Sequence, residues 1–364
     1  MNINTIRAIT CAAALSCSGY ANALSYQFTA LATPAGADSY AQGINDAGQV
    51  VGAAQLGPNS TLHATVWSNG VVTDLGAPFG ATHSFAYGIN NSGQIVGMAD
   101  FVATVWINGV PTNPGTSQGW AAESAYGINE SGQVVGYSYA VDKSAWHATV
   151  WNNGVITDLG TLGGTASIAY AINNAGQVVG YASTTGKAAQ HATIWNNGVA
   201  TDLGTLGGDS SYALGISNSG LVVGNSYTTG NAVQRATIWN NGVATDLGTL
   251  GGDNSAAWGV NDAGLIVGYA QVKGNAPHAT VWNNGVATDL NTFLSASEVS
   301  AGWTLTKAIA INANGWIVGQ ATNTLTGSEN AFLLALVVPE PASYAMLLIG
   351  LSLIGALVRR EKQH

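Results

Sequence analysis

Histidine and aspartate recur together along this 364-residue chain, and the pair is the first candidate for chemistry. His63, His147, His191 and His278 are each followed eleven positions later by Asp74, Asp158, Asp202 and Asp289. Between them runs a segment such as Ala192-Thr193-Ile194-Trp195-Asn196-Asn197-Gly198. A two-residue turn at Asn197-Gly198 sets Thr193 opposite Asp202 and leaves His191 diagonally on the same face, within side-chain reach. An imidazole beside a carboxylate can hold a metal or move a proton. A catalytic or metal centre, however, gathers unlike residues from several elements into one place, whereas this arrangement repeats. The spacing therefore predicts a structural hydrogen-bond network between repeated units, with no catalytic, metal-binding or cofactor-binding residue. The departures from the pattern, Val102, Arg235 and Asn330, do not converge on one pocket.

Two other chemistries need weighing. Asn45-Asp46-Ala47-Gly48 suggests a calcium loop, but its acidic position is Asn91, Asn174, Asn218 or Ala313 in other copies, and no glutamate follows at the required spacing. Turn formation explains it better. Glycoside cleavage needs two carboxylates facing each other across a cleft. Asp100, Glu123, Asp142 and Glu298 stand outside the repeat pattern, and nothing in the sequence pairs them. No Gly-x-Ser-x-Gly elbow, paired-histidine zinc motif or phosphate loop appears.

The elements that carry these residues follow a fixed period. Gly43-Ile44-Asn45-Asp46-Ala47-Gly48-Gln49-Val50-Val51-Gly52 has counterparts centred on Ile89, Ile128, Ile172, Ile216, Val260 and Ile311, at spacings of 45, 39, 44, 44, 44 and 51 residues. Each unit reads as two hairpins. The first turns at a run such as Asn173-Asn174-Ala175-Gly176 and the second at Asn-Gly. Four strands in about 44 residues, seven times over, predict a seven-bladed β-propeller of four-stranded blades. A right-handed β-solenoid competes, but its coils are shorter and need no pair of tight hairpins. The seventh unit runs out after its third strand, while Ser25 to Leu31 forms a surplus strand before the first unit. Pairing that segment with Asn330 to Leu336 would close the ring and remove two open edges. Irregularities fall between Gly97 and Val102 and before the seventh unit, at Phe293, Trp303 and Leu305; ordinary loop variation accounts for them.

Composition narrows the partners. Charged residues are only 7% of the chain, and between Leu24 and Val338 five cations besides histidine face sixteen acids, the total of 18 less Glu340 and Glu361. Nucleic acid is thereby excluded, because displacing counterions from phosphates needs a cationic surface.

The termini differ from the body. Arg7, the mostly apolar stretch from Ala8 to Ser18, and Ala21-Asn22-Ala23 have the layout of a secretory signal cleaved after Ala23, with Ala21 and Ala23 as the small residues of the site. Cys11 and Cys17 lie in the removed part, so the mature chain is predicted to hold no disulfide. At the other end Val338-Pro339-Glu340-Pro341 leads into a largely apolar run from Ala342 to Val358 and then Arg359-Arg360-Glu361-Lys362. Seventeen apolar residues just suffice to span a bilayer, and the arginines would stay on the cytoplasmic side.

That tail, with Pro339, Glu340, Pro341, Arg359 and Arg360 as its key positions, resembles the PEP-CTERM sorting signal of Gram-negative bacteria. The resemblance implies recognition by an exosortase, transient residence in the inner membrane, and release to the cell surface or matrix; a permanent anchor is the alternative. The body resembles the extracellular HAF repeats, with His-Ala opening the third strand and Asp-Leu-Gly-Thr-Leu-Gly-Gly intact at 158–164, 202–208 and 246–252. The expected domains are a signal peptide (1–23), the seven-repeat propeller (24–337) and the sorting signal (338–364) with its transmembrane helix (342–358). The expected function is a non-enzymatic surface protein that binds or builds the exopolysaccharide or biofilm matrix, with exopolysaccharide or another surface glycan as partner. The alternative is a polysaccharide lyase or hydrolase working at the channel or rim.

Overall fold

The computed structural model describes residues 25–337, apart from 32, 34–37, 57–60, 116–119, 141–144 and 187–188. Within them the turn residues do what their chemistry allows. Gly176 sits at φ +78° and its N–H reaches the Asn173 carbonyl at 3.0 Å, closing the first hairpin of the fourth unit. In the second hairpin both Asn197 (φ +51°) and Gly198 (φ +77°) are left-handed, the conformation a tight two-residue turn demands.

The strands form five antiparallel sheets of four and one of eight. The eight-stranded sheet contains two four-strand meanders joined by a single parallel bridge, Trp146 to Ala166. Four of the four-stranded sheets are meanders in chain order, and the fifth borrows its outer strand from the beginning of the chain. Tyr26–Leu31 pairs with Glu329–Leu336, in register Tyr26 to Leu336 and Leu31 to Ala331. The strand expected to lack a sheet thus completes the last one. The insertion before the seventh unit buttresses this junction: Phe293 packs edge-on against Tyr26 at 5.0 Å, and Trp303 lies 5.5 Å from Phe28.

The core lies between sheets. Val51 and Ala64 of the first unit pack with Ala86, Ile95 and Trp106 of the second, and Leu31, Trp67, Val318 and Ala331 join first to last. Both faces of these sheets are covered, which is why the second strand of each unit is apolar without alternation. Trp106, Trp195, Trp239 and Trp282 are fully buried; truncating one such indole costs about 3–5 kcal/mol. Among the described residues no helix is long and apolar enough to cross a membrane. The expected 342–358 helix lies outside the described residues.

Candidate functional site: the channel and its mouths

The inner strands of all seven repeats enclose one channel of about 550 Å³. Each inner strand carries a β-bulge at the same place. In the fourth unit Ala169 pairs with Gly180 and Ala171 with Val179, leaving Tyr170 as the extra residue. A bulge breaks the strict alternation of side chains and re-aims one of them. The bulged residues, Gln42, Tyr87, Tyr126, Tyr170, Leu214, Trp258 and Ile309, all line the channel. Their neighbours are small for a stated reason. A Cβ on Gly127 would meet the Tyr170 carbonyl oxygen at 3.0 Å, and one on Gly180 would overlap the Ile168 carbonyl oxygen outright. Alanine and glycine therefore recur beside the bulge, and the bulged position is left free to vary.

At one mouth the turn residues form a circuit. The side-chain amide of Asn45 donates to the Asn90 carbonyl at 3.2 Å, Asn90 to Asn129 at 3.1 Å, Asn129 to Asn173 at 3.2 Å and Asn173 to Ser217 at 3.1 Å. Asn261 donates to Asn312 at 3.2 Å, and Asn312 to Asn45 at 3.0 Å. Only Ser217 breaks the sequence, its hydroxyl pairing with Ser219 at 2.8 Å instead. A second circuit lies beside the first, in which the next residue's N–H reaches the neighbouring unit's side chain: Asn218 N–H to Asp262 at 2.7 Å, and Ala313 N–H to Asp46 at 2.9 Å. The carboxylates that suggested calcium thus accept main-chain hydrogen bonds across the seams.

The histidine–aspartate pairs lie where strand three begins and strand four ends, at the opposite rim. Nδ1 of His191 is 2.7 Å from Asp202, of His147 2.8 Å from Asp158, of His278 2.6 Å from Asp289 and of His63 3.1 Å from Asp74. Where arginine replaces histidine, Arg235 still faces Asp246 at 3.8 Å. Two features of the expected network are corrected. Each pair stays within one sheet and is part-exposed, with Asp202 retaining 41% of its side-chain surface. The threonine does not bridge it either, since Thr193 Oγ1 donates to the His191 carbonyl at 2.9 Å. The inter-sheet link on this strand is made by serine. The Ala192 N–H donates to Ser211 Oγ at 2.8 Å, and Ser211 Oγ donates to the Gly204 carbonyl at 2.7 Å.

Burial tends to raise the Asp158 pKa, but hydrogen bonds from His147 and the Gly160 N–H, with the histidine's charge, leave it below the ordinary value. Asp100 is also held low, by the Thr82 N–H above all, and pairs with His83 at 3.4 Å. Of the other acids outside the repeat, Glu298 caps the helix Ala296–Ser300 and Asp142 lies outside the described residues, as do the expected processing positions Ala21, Ala23, Pro339, Glu340, Pro341, Arg359 and Arg360. The bulge and the asparagine circuit escaped the sequence reading. Their signals were an Ala-x-Gly/Ala triplet and an asparagine column recurring in register.

Solved structures share this architecture. The β-propeller domain of the Trilobed protease from Pyrococcus furiosus, described as having an open velcro topology, aligns with a TM-score of 0.51 at 10% identity, over 84% of this chain and 99% of that one. The extracellular domain of a protein described as a hybrid two-component system from B. thetaiotaomicron aligns at 0.50 and 9% identity, over 86% of this chain and 40% of that one. The chain is an all-β, propeller-like protein. Residues 337–362 match the PEP-CTERM protein-sorting motif. That motif implies recognition by an exosortase, export through the membrane, and a surface or extracellular location. No curated protein sequence matches the chain.

Proposed function

We propose that this chain is a seven-bladed propeller, the eight-stranded sheet counting as two blades, and that it serves as a non-enzymatic glycan-binding or structural component of the exopolysaccharide matrix of a Gram-negative bacterium. The HAF-like repeats and the sorting motif support a place outside the cell. One observation supports the choice of binding over catalysis: the recurring histidines and aspartates pair within their own units, away from the channel, while the channel wall holds aromatic, aliphatic and amide side chains and no carboxylate, histidine or cation. Glycoside hydrolysis in its usual form uses a pair of opposed carboxylates, whereas stacking on a sugar needs exposed rings. The test is retention of the mature protein on exopolysaccharide purified from the producing strain, together with matrix integrity in a deletion strain. Retention with a weakened matrix is expected; no retention and a normal matrix would overturn the reading.

A further inference from the structure

The channel is not symmetric. Tyr87, Tyr126 and Tyr170 occupy the bulged position in three consecutive units, and their rings touch in series, with centroids 5.1 Å apart at 46° and 5.4 Å apart at 54°. A second row backs the first: Tyr137 lies 6.2 Å from Tyr126 at 22°, and Tyr181 lies 6.1 Å from Tyr170. From Tyr137 the contacts continue outward, to Tyr139 at 5.8 Å and from Tyr139 to Trp146 at 5.7 Å. All these rings except the buried Tyr181 are half-buried, so each presents part of its surface while its neighbour fixes its rotamer. Packing between sheets requires none of this at the bulge, where Gln42, Leu214 and Ile309 serve equally well.

We propose that the belt formed by Tyr87, Tyr126 and Tyr170, continued through Tyr137 and Tyr139 to Trp146, is a binding track for an uncharged saccharide chain, one end of which enters the channel. The proposal rests on the glycan-binding reading above and adds where the sugar sits and which sugars qualify. A pyranose ring offers weakly positive C–H groups to the negative face of an aromatic ring, and its hydroxyls exchange hydrogen bonds with phenols. Burial raises the pKa of Tyr126 and pushes Tyr137 up to about 12, so the belt presents neutral hydroxyls. An anionic polymer meets repulsion instead. Asp46, Glu130 and Asp262 stand at the far mouth, Glu123 is near enough to Tyr137 to help raise its pKa, and acids outnumber cations in the body.

The test is calorimetric titration of the mature protein with the neutral and the acidic oligosaccharide fractions from partial hydrolysis of the producer's exopolysaccharide. Binding of the neutral fraction is expected. Tyr126→Ala and Trp146→Ala should each weaken it about ten-fold or more, as for an aromatic anchor in a centrally placed contact, while Val243→Ala on the outer edge leaves it unchanged. Tyr126→Phe, which keeps the ring and its packing, should retain most of the affinity and guards against misfolding of the alanine variant. Wild-type binding that survives the Tyr126 and Trp146 changes overturns the track but leaves the glycan-binding reading intact. Preference for the acidic fraction overturns the claim of an uncharged ligand, and binding of neither fraction overturns both proposals.

Discussion

The side-chain amide of Asn312 donates to the carbonyl of Asn45 at 3.0 Å, the same bond that Asn129 makes to Asn173, although the first spans 267 residues and the second 44. Closure of the ring is thus built from the bond that joins adjacent units, supplemented by a strand exchanged between the two ends of the body.

The asparagine circuit should be measurable in stability. Asn129→Ala removes the donor to Asn173 and the acceptor for the Gln133 N–H, leaving buried partners unsatisfied. A loss of about 1–3 kcal/mol is expected from urea unfolding. Ser217→Asn fills the one gap and should raise stability by about 1 kcal/mol; a loss would show that the gap is held open by packing.

Removing residues 25–31 should expose amides far away in sequence. Hydrogen exchange measured by mass spectrometry is expected to lose protection in Glu329–Leu336, whose outer partner is deleted, before it does so in Gly207–Ile216. Uniform protection across both would contradict closure by the first strand.

Gly180→Ala should cost at least about 3 kcal/mol, because relieving overlap with the Ile168 carbonyl means moving backbone. Gly198, whose surroundings are open, tests something else. There the cost is confined to its φ of +77°, and Gly198→Ala should cost about 1 kcal/mol. Comparing the two unfolding midpoints separates close approach from backbone conformation.

Acid should weaken the fold partly through Asp158. Its folded-state pKa is depressed, so its contribution is present in full above the unfolded value of about 3.9 and is lost as pH falls through the folded value. Asp158→Asn should therefore narrow the stability difference between neutral pH and about pH 3, read from urea midpoints. An unchanged acid limb would assign that slope to other carboxylates.

Alkali acts in the opposite sense. Burial raises the phenols of Tyr87, Tyr126 and Tyr170, so they favour the fold below the unfolded tyrosine value of about 10 and cease to do so as pH climbs through their folded values. Spectrophotometric titration should show these phenols ionising late and together with unfolding.

The fold was legible where local chemistry decides it. Asn197-Gly198 dictates a left-handed pair whatever surrounds it, and the missing last strand together with the surplus Tyr26–Leu31 left one arrangement that pairs both. The pairing of His191 with Asp202 follows from hairpin register alone. Other features depend on neighbours that lie a whole unit away. Asn173 looks like an ordinary turn former until Ser217 is beside it, and Tyr170 breaks the period of its strand only because a bulge accommodates it. His83 and Asp100 belong to no repeated column, so no comparison among copies could have joined them.

The swapped strand also imposes an order in time. During export Tyr26–Leu31 emerges early and must wait for Glu329–Leu336, which is followed at once by the sorting motif at 337–362. A chain cut short upstream of Glu329 lacks both the partner strand for Tyr26–Leu31 and the sorting motif. Any chain that carries the sorting motif therefore also carries the strand that its beginning pairs with.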